Sequence, residues 1–132
     1  MIVSGVSDEK VDLSESAVLQ RILKESPDNL RAAAALGSAI DRFVDGGELT
    51  DQAYRGLGFY APVFFPLWRR RKSRQEILDE ALTWASRNNQ CESMARLVSL
   101  GANVNANPFR GTPLGWAEFG GAKKAVELLQ HK

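Results

Sequence analysis

The 132-residue sequence has few of the residues that enzymes and metal sites most often use. It contains one cysteine, Cys91, and one histidine, His131. A single cysteine cannot form a disulfide within the chain, and one cysteine with one histidine cannot complete a structural zinc site. No nucleophile and carboxylate are arranged recognisably around His131, so a catalytic triad is not indicated. The composition predicts a protein that is not an enzyme and that binds neither a metal ion nor a cofactor.

Long apolar runs and a strong charge of either sign are also missing. No run approaches the ~20 apolar residues of a membrane-spanning helix, and the first residues lack the basic start of a secretion signal. The net charge of +1 argues against general attraction to nucleic acid or to a membrane surface. A local cluster is present, because residues 69–74 hold five of the 17 basic residues. With the unpaired cysteine, these features predict a soluble protein of the reducing cytoplasm.

What the sequence does contain is a helix stop, a polar turn and a helix start in direct succession. Gly101 supplies the left-handed residue that ends a helix, and Asn103 and Asn105 can bind the backbone of a tight turn. Thr112 can then cap a new helix with Pro113 at its first position, where a missing N–H group costs nothing. This order predicts two helices joined by a compact turn.

Apolar residues recur at a spacing of 32 residues. The pairs are Trp84 and Trp116, Ala85 and Ala117, Met94 and Val126, and Leu97 and Leu129. Together with the turn, in which Gly-Ala-Asn-Val-Asn-Ala precedes Gly-Thr-Pro-Leu-Gly-Trp-Ala, this pattern resembles the ankyrin repeat family, whose usual period is 33 residues. The missing residue falls between Gly111 and Thr112, so the turn is shortened and the helices are not. The resemblance is clearest over residues 73–132 and degenerate over 28–47.

The resemblance implies an all-α fold, an ankyrin-like solenoid of stacked antiparallel helix pairs in a single domain over residues 1–132. Its expected parts are a frayed N-terminus (1–12), N-terminal helices with a degenerate repeat (13–47), an aromatic and basic insertion (48–72), a repeat (73–106) and a final repeat that is cut short (107–132).

Local signals define the helices within these parts. Ser73-x-x-Glu76 has the spacing of a capping box and predicts a helix over 74–87, followed by a partner helix over 90–100. The final repeat should form helices over 112–120 and 122–132, with Val126, Leu128 and Leu129 directed inward. In the degenerate repeat, an alanine-rich helix ending at Gly37 should pair with a second helix carrying Ile40, Phe43 and Val44. A single helix from Pro27 to Asp45 is the alternative.

The insertion concentrates six of the 11 aromatic residues of the chain, after a short helix expected over residues 50–55. Bacterial ankyrin proteins carry a comparable aromatic loop before a helix similar to Ile77-Leu-Asp-Glu-Ala-Leu82. The loop is interpreted as packing on the solenoid, with contact to a protein partner as the alternative and nucleic-acid binding as the least favoured one. As a secondary candidate surface it supplies Tyr60, Phe65, Trp68, Arg69, Arg70 and Arg71.

The resemblance also implies a function, namely non-catalytic binding of a protein partner in a regulatory or inhibitory role. The binding surface should be the concave side of the solenoid, formed by turn tips and first helices. Its residues would be Phe109 and Arg110 at the turn tip, Phe119 and Gly120 in the final repeat, and Arg87 and Asn88 in the repeat before it.

Two alternatives remain open at this stage. Phe109 could fold against Phe119 across the shortened turn instead of contacting a partner. The chain could also be a structural or oligomerisation segment of a longer array, which would self-associate through an open C-terminal edge of Trp116, Val126 and Leu129. Trp84 and Trp116 themselves are expected to pack between adjacent repeats.

Overall fold

A computed structural model of the chain describes residues 30–38, 40–55 and 73–131, together with Ala17, Gln20, Arg21 and Lys24. Within these residues the fold is mostly helical and includes one two-stranded sheet. The elements are α1 (Leu30–Leu36), a 3-10 turn (Asp41–Phe43), β1 (Val44–Asp45), β2 (Glu48–Leu49), α2 (Asp51–Arg55), α3 (Arg74–Arg87), α4 (Cys91–Ser99), α5 (Pro113–Phe119) and α6 (Lys123–Gln130).

The two predicted helix starts have the capping interactions that their sequences favour. The Ser73 hydroxyl accepts a hydrogen bond from the Glu76 N–H (3.2 Å), and the Glu76 carboxylate accepts one from the Ser73 N–H (2.9 Å). At the start of α5, the Thr112 hydroxyl accepts from the Gly115 N–H (3.1 Å), and Pro113 is the first helical residue. Each cap satisfies backbone donors that a helix leaves open at its N-terminus.

Helix α3 is the centre of the core and packs against α1, α4 and α5. Five of its apolar side chains are completely buried: Ile77, Leu78, Ala81, Leu82 and Ala85. Four polar residues of the same helix are buried with them: Asp79, Glu80, Thr83 and Ser86. A helix that is buried nearly all round cannot leave its polar groups to water, so each of them needs a partner within the protein.

The longest-range of these partnerships is an ion pair between Glu80 and Arg31 of α1. The Arg31 Nε donates to Glu80 Oε1 at 2.7 Å, and the two side chains are 1% and 6% exposed. The residues are 49 positions apart in the sequence, and no local motif connects them. The pair fixes α1 on the surface of α3.

In the helices that follow, small and long apolar residues share the burial. Met94 and Leu97 of α4 are buried, whereas Cys91 and Val98 are half-buried. In α6 the completely buried residue is Ala125. Val126, Leu128 and Leu129, predicted to point inward, are half-buried and pack against the core.

The degenerate repeat differs from both predictions made for it. Helix α1 ends at Leu36, and Gly37 has φ +74°, so a single helix from Pro27 to Asp45 is wrong. The predicted second helix is also wrong, because Asp41–Phe43 form one 3-10 turn that leads into a strand. The alanines of α1 allow close packing against α3 instead.

The strand is part of a hairpin that pairs Val44 with Leu49 and Asp45 with Glu48. Its two turn residues, Gly46 and Gly47, have φ of +61° and +88°. Positive φ at both positions is the geometry of a two-residue hairpin turn, which glycine adopts without steric cost. The predicted boundary between residues 47 and 48 falls inside this hairpin, and the fold is therefore not entirely helical.

Helices α1, α3 and α5 end in the same backbone arrangement. Each is followed by a residue with positive φ: Gly37 (74°), Asn89 (61°) and Gly121 (69°). The next N–H group reaches back to a carbonyl of the last turn at 2.9 Å, in the pairs Ser38 with Ala33, Gln90 with Ala85, and Ala122 with Ala117. This bond satisfies carbonyl groups left open at a helix C-terminus. The last two pairs are 32 residues apart, the spacing of the apolar residues in the sequence.

We expect Arg31→Ala to lower the free energy of unfolding by about 3–5 kcal/mol, because Glu80 would stay buried without this cation. Arg96→Ala is the matched control, since Arg96 pairs with Asp41 at 3.3 Å through side chains that are 44% and 80% exposed. Exposed pairs contribute about 0–1 kcal/mol. Urea unfolding followed by circular dichroism measures both variants. Equal effects would mean that the buried pair does not hold α1 on α3.

Candidate partner-binding surface

The C-terminal end of α3 positions two of the predicted site residues, Arg87 and Asn88. The Asn88 amide nitrogen donates to the Trp84 carbonyl at 2.9 Å, so this side chain closes the end of the helix. The next residue, Asn89, accepts a hydrogen bond from the Ala125 N–H of α6 at 2.9 Å. Asn88 and Asn89 are therefore occupied with the helix end and with its attachment to α6.

The Arg87 side chain lies against two aromatic rings of α5. Its guanidinium carbon is 5.3 Å from the centroid of the Trp116 ring and 5.0 Å from that of Phe119. The two rings meet edge to face, with centroids 5.6 Å apart and planes at 84°. Cation–π contacts of this kind contribute about 0.5–1 kcal/mol at exposed sites, and they hold the guanidinium in one place.

Phe119 is the exposed member of this group. Its side chain is 74% exposed, and it is the one large hydrophobic side chain so exposed among the residues that the structure describes. The contacts with Trp116 and Arg87 nevertheless restrict its ring. Phe119 is thus an apolar group that is held in position on the surface while most of its area faces solvent.

Phe109 is less available than predicted, because it packs on Trp84 of α3. The ring centroids are 6.2 Å apart and the planes meet at 69°. Phe109 is half-buried. The ring that it contacts therefore belongs to α3, which differs from both a fully exposed Phe109 and the alternative contact with Phe119.

Arg110, next to it, is exposed and has φ +63°. Its N–H group donates to the Asn107 carbonyl at 3.3 Å within the turn. On its other side, a Cβ on Gly111 would lie 2.9 Å from the Trp116 indole nitrogen, so glycine is needed for this close approach. The backbone around Arg110 consequently lies between Trp84 and Trp116.

The start of the turn is tied to the N-terminal half of α3. Asp79 Oδ1 accepts hydrogen bonds from the Asn103 N–H and from the Gln75 amide, both at 2.8 Å. Gln75 also donates to the Gly101 carbonyl at 2.9 Å. Within the turn, the Asn105 N–H donates to the Asn103 side chain at 2.9 Å, as the sequence predicts for these asparagines.

Gly120 has a packing role that the sequence analysis missed. A Cβ at this position would lie 2.5 Å from the Arg87 carbonyl oxygen, which is a backbone atom and cannot easily move away. The absence of a side chain lets the end of α5 approach the end of α3. Gly120 therefore positions Phe119 and Arg87 relative to each other.

These contacts bring four of the six predicted residues onto one surface, here called the aromatic face. It consists of Trp84, Arg87, Phe109, Arg110, Trp116 and Phe119. The remaining two, Asn88 and Gly120, close and pack helix ends. Trp84 and Trp116, predicted to be packing residues, are half-buried and also contribute to this face. Their spacing to Arg87 and Phe119, three positions along each helix, is the signal that could have indicated it.

The secondary candidate surface cannot be compared with the structure in the same way. Its six residues, Tyr60, Phe65, Trp68, Arg69, Arg70 and Arg71, lie outside the described residues. The short helix expected before it is present as α2, and Ala53 of that helix is buried.

Metal and membrane sites were examined over the same ranges. In the described part of the chain, no group of three or more His, Cys, Asp or Glu residues could hold a metal ion. No helix described here has the length and apolar character that crossing a membrane requires.

Two glycines of the α5 region give a matched pair of substitutions. Gly115→Ala should stabilise the fold by about 0.5–1 kcal/mol, because alanine favours helix and glycine does not. Its new Cβ would meet only the Thr112 hydroxyl, at an ordinary 3.6 Å. Gly120→Ala should instead cost about 1–3 kcal/mol through overpacking against Arg87. Thermal unfolding checks both, and a stabilised Gly120→Ala would contradict the close approach of α5 to α3.

Comparisons with known proteins identify no relative of this chain. No family model matches it, and no match was found among the curated proteins or the solved structures. A proposal for its function has to start from the contacts of the aromatic face.

Proposed function

We propose that the chain is a non-catalytic protein-binding module, folded as an ankyrin-like solenoid, which binds a partner protein through the aromatic face. The observation that carries the proposal is Phe119, a phenylalanine that is 74% exposed and yet held by Trp116 and Arg87. Aromatic and arginine side chains are enriched at protein interfaces and supply most of the binding energy there.

The shared ends of α1, α3 and α5 support the solenoid. In such a fold each repeat is one unit that contacts its neighbours, and equivalent helices share their geometry. Helix α3 packs on α1 and on α5, while α4 contacts α6. The equal hydrogen bonds after Ala33, Ala85 and Ala117 fit three successive first helices of that kind.

The fixed position of the face supports a role in binding. The turn is tied to Asp79 and Gln75, Phe109 lies on Trp84, and Gly120 sets the distance between Arg87 and Phe119. A surface that is already ordered loses less conformational entropy when it binds. Binding would then be the activity itself, and the module would act on its partner in a regulatory or inhibitory way.

A second candidate function is self-association or a structural role in a longer array. It is favoured by a shallow depression of about 290 Å³ in the last helix pair. The depression is lined by Ala117, Glu118, Gly121, Ala122, Lys123 and Val126. Light scattering over a concentration series separates the two functions, because this alternative requires association of the chain with itself, and a monomer at every concentration would argue against it.

Phe119→Ala should abolish capture of the partner and leave the fold intact. The side chain is 74% exposed, so its removal should change the free energy of unfolding by about 1 kcal/mol or less, mainly through the lost ring contact. Hot-spot aromatic residues typically contribute about 2 kcal/mol or more to binding. Immobilised wild type and variant are compared for the proteins retained from a cell extract, identified by mass spectrometry.

Glu118→Ala is the control for this experiment. It is the adjacent exposed residue of α5, and it lines the depression instead of the aromatic face. We expect it to retain the same proteins as the wild type. If Phe119→Ala also retains them, the aromatic face is not the binding surface.

A further inference from the structure

The charges of the aromatic face all have one sign. Its two charged residues, Arg87 and Arg110, are both basic. The acidic residues of the neighbouring helix pair are placed elsewhere: Glu118 lines the depression, and Glu127 is an exposed residue of α6. This separation matters because charge complementarity determines which partners a surface accepts and rejects.

Arg87 is oriented by ring contacts that use the face of its guanidinium. The centroids of Trp116 and Phe119 lie 5.3 and 5.0 Å away. A guanidinium directs its five N–H donors outward in its own plane, and this fork matches the two oxygens of a carboxylate. Stacking on aromatic rings is compatible with such a bond, so Arg87 is suited to binding a carboxylate beside Phe119.

Arg110 occupies a backbone conformation that its residue type disfavours. At φ +63° a glycine or an asparagine is more stable than a residue with a long side chain. A left-handed non-glycine residue has a cost of about 1–3 kcal/mol, and such strain concentrates at functional positions. The exposed side chain of Arg110 lies in the turn between the two tryptophans, where it can contact a ligand.

We infer that the partner presents an acidic protein segment, whose carboxylates bind Arg110 and Arg87 while an apolar side chain of the segment packs on Phe119. This inference rests on the proposed function and specifies the chemistry of the partner. A protein segment fits better than a nucleic acid, because the face combines an exposed phenylalanine with two cations and the chain has a net charge of only +1. Nucleic-acid binding draws on many phosphate contacts.

Selection of random short peptides on the immobilised full chain tests the inference. Peptides retained by the wild type should be enriched in aspartate and glutamate relative to the unselected library. The affinity of one such peptide is then measured by fluorescence anisotropy. Arg110→Glu should weaken it about tenfold or more, as loss of an interfacial charge pair does, and should shift a new selection towards basic peptides.

Lys124→Glu is the matched control for Arg110→Glu. Lys124 is an exposed residue of α6 outside the aromatic face, and its replacement changes the net charge by the same amount. We expect it to leave the peptide affinity within about twofold of the wild type, since remote surface charges act weakly through screening salt. Equal losses in the two variants would mean that overall charge, and not Arg110, determines binding, which would overturn the inference.

Arg110→Gly provides a readout that a purely structural role would not produce. Glycine relieves the left-handed conformation, so the melting temperature should rise while the affinity for the acidic peptide falls. A fall in both quantities, or an unchanged affinity, would contradict the assignment of Arg110 to binding.

The outcomes separate this inference from the proposed function. If capture from extract depends on Phe119 but the selected peptides show no excess of acidic residues, only the acidic partner is wrong. If a single-stranded oligonucleotide binds more tightly than any selected peptide, a nucleic acid replaces the protein segment as the ligand. If capture does not depend on Phe119, the proposed function fails together with the inference.

Discussion

Helix α3 is enclosed by its neighbours, and so its polar side chains have to be satisfied inside the protein. Thr83 and Ser86 bind carbonyl groups of the helix itself, at 2.9 and 2.7 Å. Glu80 and Asp79 instead reach other parts of the chain, and their bonds fix those parts in place. Glu80 holds α1 through Arg31, and Asp79 holds the turn through the Asn103 N–H. Because an unpaired buried polar group is costly, these bonds determine where the surrounding elements lie.

The N-terminal half of α3 organises the adjoining turns in a similar way. Arg74 donates to the carbonyls of Gly47 (3.0 Å) and Leu100 (2.7 Å), and it pairs with Glu48 at 3.2 Å. The β-hairpin and the end of α4 therefore share one guanidinium. The opposite end of α3 carries Trp84 and Arg87, which contact Phe109 and the rings of α5. The aromatic face thus takes its geometry from a helix whose own position is fixed by buried polar bonds.

The parts of the fold that depend on neighbouring residues could be predicted from the sequence. The start and end of α3 and the cap at Thr112 follow from motifs a few residues long, and the structure confirms them. The hairpin was missed although Gly46-Gly47 between Val44-Asp45 and Glu48-Leu49 is a recognised turn signal, because the alanine run before it favoured a second helix. The Arg31–Glu80 pair and the packing of Gly120 on Arg87 could not be predicted, since both depend on contacts between helices that are distant in sequence.

The shared helix ends also explain why Phe119 differs from its counterparts. Because Ala33, Ala85 and Ala117 accept equivalent hydrogen bonds, residues two positions later, Ala35, Arg87 and Phe119, are equivalent as well. Trp84 packs against the small cluster that contains Ala35, and Trp116 packs on Arg87. On α1 and α3, then, the next helix places a tryptophan over this position. Phe119 occupies it on α5 with 74% of its surface exposed, so a ligand that contacts it would use a site at which this fold elsewhere packs a large aromatic ring.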